Sequence, residues 1–218
     1  MSYIVKAWYE TKENVNEMIQ WERPNLKKWE LAVTRFFPKN AKLLDIGCGL
    51  GREAFVLSDM GFKVVGIDIS QEVIQQVVAL SAQKGYDMDF RLYDGHMLPF
   101  EADSFDVIII WAQTFGLIYG DECKHDFLLE CKRILTSDGL LSFSGHDYNF
   151  EMDNYKNCMK EGKFYPYADT ELYWETFQPN DLISFAKNAG YTVILCEKGE
   201  IYTSEDGTII HCLCRKEL

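Results

Sequence analysis

From residue 41 onward the sequence alternates between short apolar runs and amphipathic stretches, and this alternation constrains the fold more than any other feature. Val107 to Ile110 is apolar at every position, as expected for a strand that is buried on both faces of a sheet. The stretches from Ser70 to Gly85 and from Asp121 to Leu135 space their apolar residues as amphipathic helices do. The alternation predicts a doubly wound α/β fold with a mostly parallel sheet of seven strands.

The last forty residues change this pattern. A helix is expected from Pro179 to Gly190, because proline suits a first helical position and glycine a helix end. The runs from Tyr191 to Glu197 and from Ile209 to Arg215 follow, joined by a loop that contains Asp206-Gly207. Two such runs around an Asp-Gly turn predict a C-terminal antiparallel hairpin.

Two further regions stand outside the alternation. Residues 1–40 predict helices at about 12–20 and 25–36, with Pro24 at the start of the second, and we expect them to form a helical lid. Residues 41–218 then form the main domain, with an aromatic-rich insertion at about 146–176. That insertion contains Trp174 and the tyrosines at positions 148, 155, 165, 167 and 173.

Charge and composition exclude several classes of protein. The formal net charge is -12, which disfavours long nucleic acid as a partner because phosphate backbones are repelled. No apolar run reaches the length of a membrane span, and the N-terminus does not resemble a secretion signal. We therefore expect a cytoplasmic protein with reduced cysteines and no membrane partner. Cys212 and Cys214 lack further ligands at metal-site spacing, so no metal site is expected.

A glycine-rich segment is the strongest local motif. The apolar run from Leu43 to Ile46 leads into Gly47-Cys48-Gly49-Leu50-Gly51, where missing side chains allow a tight turn and a close approach of ligand. A dinucleotide fingerprint would need glycine or alanine at the next position, which is Arg52. The spacing therefore favours a nucleoside over a nicotinamide dinucleotide.

Carboxylates end the next two predicted strands. Asp68 ends the second strand and is able to accept hydrogen bonds from both hydroxyls of a ribose. Asp94 ends the third and is able to accept one from an adenine amine. Ligands of parallel sheets bind at the carboxyl ends of strands, so the glycine turn and both carboxylates are expected around one adenosine.

Residues 41–145 resemble the class I S-adenosylmethionine-dependent methyltransferases, whose fold is Rossmann-like. The likeness is closest to the small-molecule branch, through D-x-x-x-L-P-F at 94–100 and F-D-V at 105–107. It implies S-adenosylmethionine as cofactor. The positions implied to bind the cofactor are Asp45, Gly47, Cys48, Gly49 and Gly51 around the methionine, Asp68 and Ile69 at ribose and adenine, Asp94 and Gly95 at the adenine amine, and Trp111 near the sulfonium.

The implied reaction is in-line transfer of the sulfonium methyl group to the O, N or C atom of a small-molecule acceptor. Members of the family that methylate nucleic acids or glutamine have N/D-P-P-Y/F after the fourth strand. Here the segment after Trp111 is Ala112 to Phe115, which argues against those acceptors. Gln113, Thr114 and Phe115 are instead expected to line the acceptor pocket.

His146, at the end of the fifth predicted strand, is the candidate general base for an acceptor that must lose a proton. Tyr9 and Arg23 are expected to close over the site from the N-terminal segment. The aromatic insertion, including Tyr148, either encloses a planar substrate or packs as a subdomain or homodimer face.

Two other functions stay open from the sequence alone. A nicotinamide-dependent oxidoreductase is disfavoured by Arg52 and by the terminal hairpin. A noncatalytic S-adenosylmethionine-binding module would keep the same acidic residues without turning over a substrate.

Overall fold

The computed structural model describes residues 3–21, 23–166, 170–203 and 205–217, and the side chains of 19–21 are excluded from that description. Tyr167 of the insertion lies outside these ranges. The described helices are α1 (Tyr3–Tyr9), α2 (Lys12–Trp21), α3 (Lys28–Thr34), α4 (Arg52–Asp59), α5 (Gln71–Lys84), α6 (Asp121–Ile134), α7 (Tyr148–Tyr155) and α8 (Pro179–Asn188). Thr114–Leu117 forms a single 3-10 turn.

The described strands are β1 (Lys42–Ile46), β2 (Lys63–Asp68), β3 (Asp89–Leu92), β4 (Phe105–Ile110), β5 (Leu135–Asp147), β6 (Phe164–Pro166), β7 (Tyr173–Phe177), β8 (Tyr191–Glu200) and β9 (Thr208–Lys216). The parallel part of the sheet runs in the order β3-β2-β1-β4-β5. β9 pairs antiparallel with β5 and with β8. The predicted doubly wound sheet and its C-terminal hairpin are confirmed. The strand order reverses between β1 and β4, and ligands of such sheets bind at that point.

The insertion adds β6 and β7, which the sequence analysis did not predict. β5 pairs with β4 only as far as Phe143, opposite Ile110, and then continues beyond the end of β4. β7 pairs with this extension, with Thr176 opposite His146. The insertion therefore supplies hydrogen-bonding partners where β4 stops.

The N-terminal segment contains three helices where two were predicted. Pro24 lies in a bend ahead of α3, so its predicted place at a helix start was wrong. The start of α3 is instead fixed by the Glu30 carboxylate, which accepts the backbone N–H of Lys27 at 2.7 Å. This bond satisfies an amide that the start of the helix leaves without a backbone partner.

Apolar side chains form a core on each face of the sheet. The helices α3, α4 and α5 pack on one face, while α1, α6 and α8 pack on the other. Trp111 lies in the first of these layers, where its ring centroid is 5.4 Å from that of Trp29. Its Nε1 donates a hydrogen bond to Ser142 Oγ at 2.8 Å. No helix in the described ranges is long and apolar enough to cross a membrane.

Ser142→Ala should lower the free energy of unfolding by about 1–3 kcal/mol, because the buried indole N–H of Trp111 loses its acceptor. Urea denaturation measures the change, with the exposed Ser137→Ala as the matched control. Equal stability of the two variants would contradict this account of the core.

Candidate functional site

The chain bends sharply after β1. Gly47 and Gly49 adopt left-handed φ angles of 74° and 51°, which residues with side chains rarely adopt. A Cβ at Gly47 would lie 2.6 Å from Thr114 Cγ2, so this position also needs glycine for space. The backbone N–H groups of Gly47 and Cys48 donate to the Ile67 carbonyl at 2.8 and 3.0 Å. The bend is therefore fastened to the end of β2.

Asp68 lies directly beside this bend. Its Oδ2 accepts the backbone N–H of Gly49 at 3.2 Å, and its Oδ1 accepts that of Ser70 at 3.0 Å. Burial raises the pKa of Asp68 to about 6, although the hydrogen bonds from Ser70 and Gly49 act in the opposite direction. The ionised carboxylate is therefore held in place by backbone amides but is poorly solvated.

Asp45 is a second buried carboxyl group, two residues before Gly47 on β1. Burial raises its pKa well above the ordinary value, and the neighbouring Glu53 carboxylate adds to the rise. Its Oδ2 is buried without a hydrogen-bond partner among the described residues. Within the same ranges neither Asp45 nor Asp68 takes part in a salt bridge. Both carboxyl groups would be stabilised by a cationic ligand.

A partly open hollow of about 130 Å³ lies at this edge of the sheet. Of the residues selected from the sequence, it brings together Tyr9, Gly47, Cys48, Gly49, Asp68, Ile69 and Thr114. The sequence analysis missed Val5, Met18, Glu53, Tyr93, Ala112 and Leu117, which also line it.

The helices α1 and α2 cover the hollow. Ser70 Oγ donates to the Tyr9 carbonyl at 2.7 Å, and the backbone N–H of Gln71 donates to Glu10 Oε1 at 3.0 Å. Val5 reaches the core and is 1% exposed. Apolar residues at positions 5, 8 and 9 have the i, i+3, i+4 spacing of a buried helix face. That signal was present in the sequence.

Arg52, at the start of α4, is buried beneath the bend. Its guanidinium donates to both Glu30 oxygens at 2.8 and 2.9 Å and contacts the Glu53 carboxylate. Glu53 lines the hollow at the N-terminus of α4, where a diphosphate would otherwise bind. A carboxylate in this place disfavours an anionic ligand.

Besides Trp111, the predicted cofactor residues Asp45, Gly51, Asp94 and Gly95 do not line the hollow. Gly51 ends the bend at φ 84°. Asp94 is exposed, and its Oδ1 accepts the backbone N–H groups of His96 and Met97 at 2.8 and 3.3 Å. The His96 bond is the main cause of a lowered pKa at Asp94. Gly95 follows it, and the predicted roles of both residues at the adenine amine stay predictions.

Two aromatic side chains predicted at the site lie in the core instead. Trp111 extends to the same side of β4 as Val107 and Ile109, so its ring packs under α3 and not at the sulfonium position. Phe115 is fully buried on the opposite face, with its ring centroid 4.9 Å from that of Phe143, and cannot line an acceptor pocket. Between them, Gln113 is half-buried in a left-handed conformation with φ 62°.

Arg23 and Tyr148 lie away from the hollow. The Arg23 guanidinium is 4.4 Å from the Tyr202 ring centroid and 3.7 Å from Asp206 Oδ1, so the hairpin holds it. Tyr148 lines a separate open groove between α6 and α8. The expectation that Arg23 closes over this hollow was therefore wrong, and Tyr148 does not enclose it.

His146 lies at the end of β5 and does not line the hollow. Its Nδ1 is 3.2 Å from Glu151 Oε1, and its ring lies between those of Tyr165 and Trp174, with centroids at 5.7 and 5.6 Å. In the described part of the chain no group of three or more His, Cys, Asp or Glu side chains is arranged to hold a metal ion.

Comparison with known proteins finds one matching domain and several similar sequences. A methyltransferase domain matches residues 43–139. A putative methyltransferase from Bacillus subtilis (strain 168) is 26% identical over 195 residues, covering 83% of this chain and 70% of that protein. Another from Geobacillus sp. (strain WCH70) is 26% identical over 149 residues, covering 67% of this chain and 58% of that protein. The match thus spans less than two thirds of the length of the Geobacillus relative.

Solved structures share the fold. A SAM-dependent methyltransferase from Methanosarcina mazei superposes with a TM-score of 0.79 at 19% identity, covering 88% of this chain and all of that one. The 1,6-didemethyltoxoflavin-N1-methyltransferase of Burkholderia thailandensis, solved with 1,6-didemethyltoxoflavin and S-adenosylhomocysteine, gives 0.73 at 16% identity and covers 98% of this chain and 85% of that one. Residues 43–139 are thus similar to a methyltransferase domain, and the chain has the fold of solved S-adenosylmethionine-dependent methyltransferases.

Asp68→Ala should weaken S-adenosylmethionine binding by about 1–3 kcal/mol, because ribose hydroxyls buried at this position lose their acceptor. Calorimetry measures the affinity, and the exposed Asp87→Ala on the following loop is the matched control. Unchanged affinity in a folded Asp68→Ala protein would remove Asp68 from the site.

Affinity for S-adenosylhomocysteine should fall as the pH drops through the Asp68 pKa of about 6. We expect the ribose hydroxyls to donate hydrogen bonds to the ionised Asp68 carboxylate, so protonation of Asp68 should weaken binding. Between pH 7 and pH 5 the Kd should rise roughly ten-fold. Asp68→Asn should abolish this dependence. The same dependence in Asp68→Asn would assign the titration to another group, such as Asp45.

Proposed function

We propose that this protein transfers the methyl group of S-adenosylmethionine to a small-molecule acceptor. The observation that carries the proposal is the pair of buried carboxyl groups, Asp45 and Asp68, beside a glycine bend and without a cationic side chain bound to them. A cofactor that carries an ammonium and a sulfonium supplies the missing positive charge. A neutral nucleoside or an anionic dinucleotide would not.

The residues present fit this cofactor. Gly47 and Gly49 leave room for backbone-level contact with its methionine portion, and Asp45 is buried on β1 two residues before the bend. Asp68 is placed to accept from the ribose, and Ile69 to pack against adenine. The bound cofactor supplies an activated methyl group, so the protein has to position the acceptor and exclude water.

The helices that cover the hollow support a small acceptor. We propose that residues 1–40 act as a lid, since α1 and α2 close over the hollow and leave no broad surface for a polymer. The structural neighbour from Burkholderia thailandensis acts on a small heterocycle, and the net charge of -12 disfavours nucleic acid. The carboxylate of Glu53 at the α4 N-terminus opposes the alternative of a nicotinamide dinucleotide.

Titration calorimetry with S-adenosylmethionine, S-adenosylhomocysteine and NAD tests the cofactor. We expect the first two to bind and NAD not to bind. Transfer of radiolabelled methyl groups to a metabolite extract then tests turnover, with Asp68→Ala as the deficient variant. Binding of NAD alone would reject the proposal, and cofactor binding without any labelled product would favour a noncatalytic module.

A further inference from the structure

A second group of polar and aromatic side chains lies beside the hollow. It consists of His146 on β5, Glu151 on α7, Tyr165 on β6 and Trp174 on β7, and we call it the aromatic cluster. Tyr165 and Trp174 are opposite each other in the β6–β7 pair. The Tyr155 ring extends the cluster, 5.2 Å from Tyr165 between centroids. Two rings beside one imidazole, with a third ring next to Tyr165, form a surface suited to a planar apolar group.

Glu151 gives the cluster its polarity. Its side chain is only 4% exposed, and Oε1 lies 3.2 Å from His146 Nδ1. The second oxygen, Oε2, is buried without a hydrogen-bond partner among the described residues. His146 Nδ1 is likewise buried without a hydrogen-bond partner among the described residues, so its contact with Glu151 is one of proximity and charge. A carboxylate at this distance stabilises the imidazolium that forms when His146 accepts a proton.

The cluster is next to the hollow. Thr114 and Leu117 of the 3-10 turn line the hollow, and Gly116 of the same turn packs on β7. A Cβ at Gly116 would lie 3.5 Å from Trp174 Cβ and 2.7 Å from the Glu175 carbonyl. A single turn of chain therefore separates the cofactor side of the site from the aromatic cluster.

The charges around His146 are few. Glu151 faces it from α7 and the Tyr165 hydroxyl from β6, while β7 and β9 present Trp174 and Ile209. Burial and the Glu151 carboxylate raise the pKa of Tyr165, so that hydroxyl stays neutral at physiological pH. An anionic acceptor would be repelled by Glu151.

We propose that the aromatic cluster binds the methyl acceptor and that this acceptor is an uncharged aromatic ring bearing a hydroxyl group, a phenol. His146 is the general base, and Glu151 is a positioning residue that acts through it. This inference rests on the proposed function. The phenol oxygen forms a bond to the methyl carbon, the carbon–sulfur bond breaks with its electron pair left on sulfur, and the phenol proton passes to His146 Nε2.

The test uses the full chain with radiolabelled S-adenosylmethionine and four phenols: catechol, resorcinol, 4-hydroxybenzaldehyde and 8-hydroxyquinoline. Aniline and cyclohexanol are the comparison acceptors, lacking the hydroxyl group and the aromatic ring respectively. We expect methylation of at least one phenol and of neither comparison compound. His146→Ala should lower kcat about 100-fold, the scale of general-base catalysis.

Variants of Glu151 separate a positioning role from a structural one. Glu151→Gln should lower kcat about ten-fold and leave the KM for the phenol unchanged, because the imidazolium formed in the step loses its neighbouring negative charge. Affinity for S-adenosylhomocysteine should not change. Glu171→Gln, an exposed site in the same insertion, is the matched control. A loss of stability and cofactor affinity, with kcat and KM altered together, would assign Glu151 a structural role and overturn this part.

Variants on β7 test the aromatic wall. Trp174→Leu should raise the KM for the phenol about ten-fold with a smaller effect on kcat. The neighbouring Tyr173 stacks on Tyr119 with centroids 4.3 Å apart, on the other side of the strand. Tyr173→Leu should therefore leave the KM unchanged, and an equal rise in both variants would contradict the placement.

Other outcomes distinguish the two proposals. If none of the phenols is methylated while an extract acceptor is, the phenol assignment is overturned and the proposed function stands. If that extract acceptor is methylated equally by the wild type and His146→Ala, His146 is no base. If S-adenosylmethionine does not bind, the proposed function fails first.

Discussion

The attachment of the bend after β1 to the end of β2 is the constraint on which the rest of the site depends. The Ile67 carbonyl accepts two backbone N–H groups from the bend, and Asp68 accepts a third from Gly49. These bonds hold the bare glycine backbone and a carboxylate at a fixed separation before any ligand arrives. Such preorganisation lowers the entropy cost of binding. It also explains why a poorly solvated Asp68 carboxylate is tolerated, because backbone amides replace part of its lost hydration.

The N-terminal helices are tied to this bend through buried polar contacts. Arg52 follows the bend directly and donates to both oxygens of Glu30 on α3 and to the Asn25 carbonyl at 3.1 Å. On the other side, Ser70 anchors the end of α1. Removing one partner of a buried ion pair lowers the stability of a protein strongly, so the Arg52–Glu30 pair links α3 to the bend energetically.

The sequence predicted the sheet well and the position of individual side chains less well. The seven predicted strands and their mixed directions follow from local patterns, since apolar runs and turn residues act over a few positions. Trp111 was misplaced because a strand buried on both faces does not reveal its orientation by polarity. Trp111 lies an even number of positions after Val107 and Ile109, so the sequence did indicate that the three side chains lie on the same face of β4. Met18 and Tyr93 were missed because they reach the hollow through contacts distant in sequence, which no local pattern encodes.

The two halves of the site have separate structural origins. The glycine bend, Asp45 and Asp68 belong to the β1–β2 half of the sheet. The aromatic cluster has another origin, because β5 continues beyond the end of β4 and β7 of the insertion pairs with that extension. The contacts that suit a sulfonium nucleoside therefore do not depend on β6, β7 or α7. Changes in that insertion would alter the shape and polarity around His146 while leaving the bend intact. In the proposed arrangement the acceptor can change independently of the cofactor, because β5, which carries His146, extends past the end of β4.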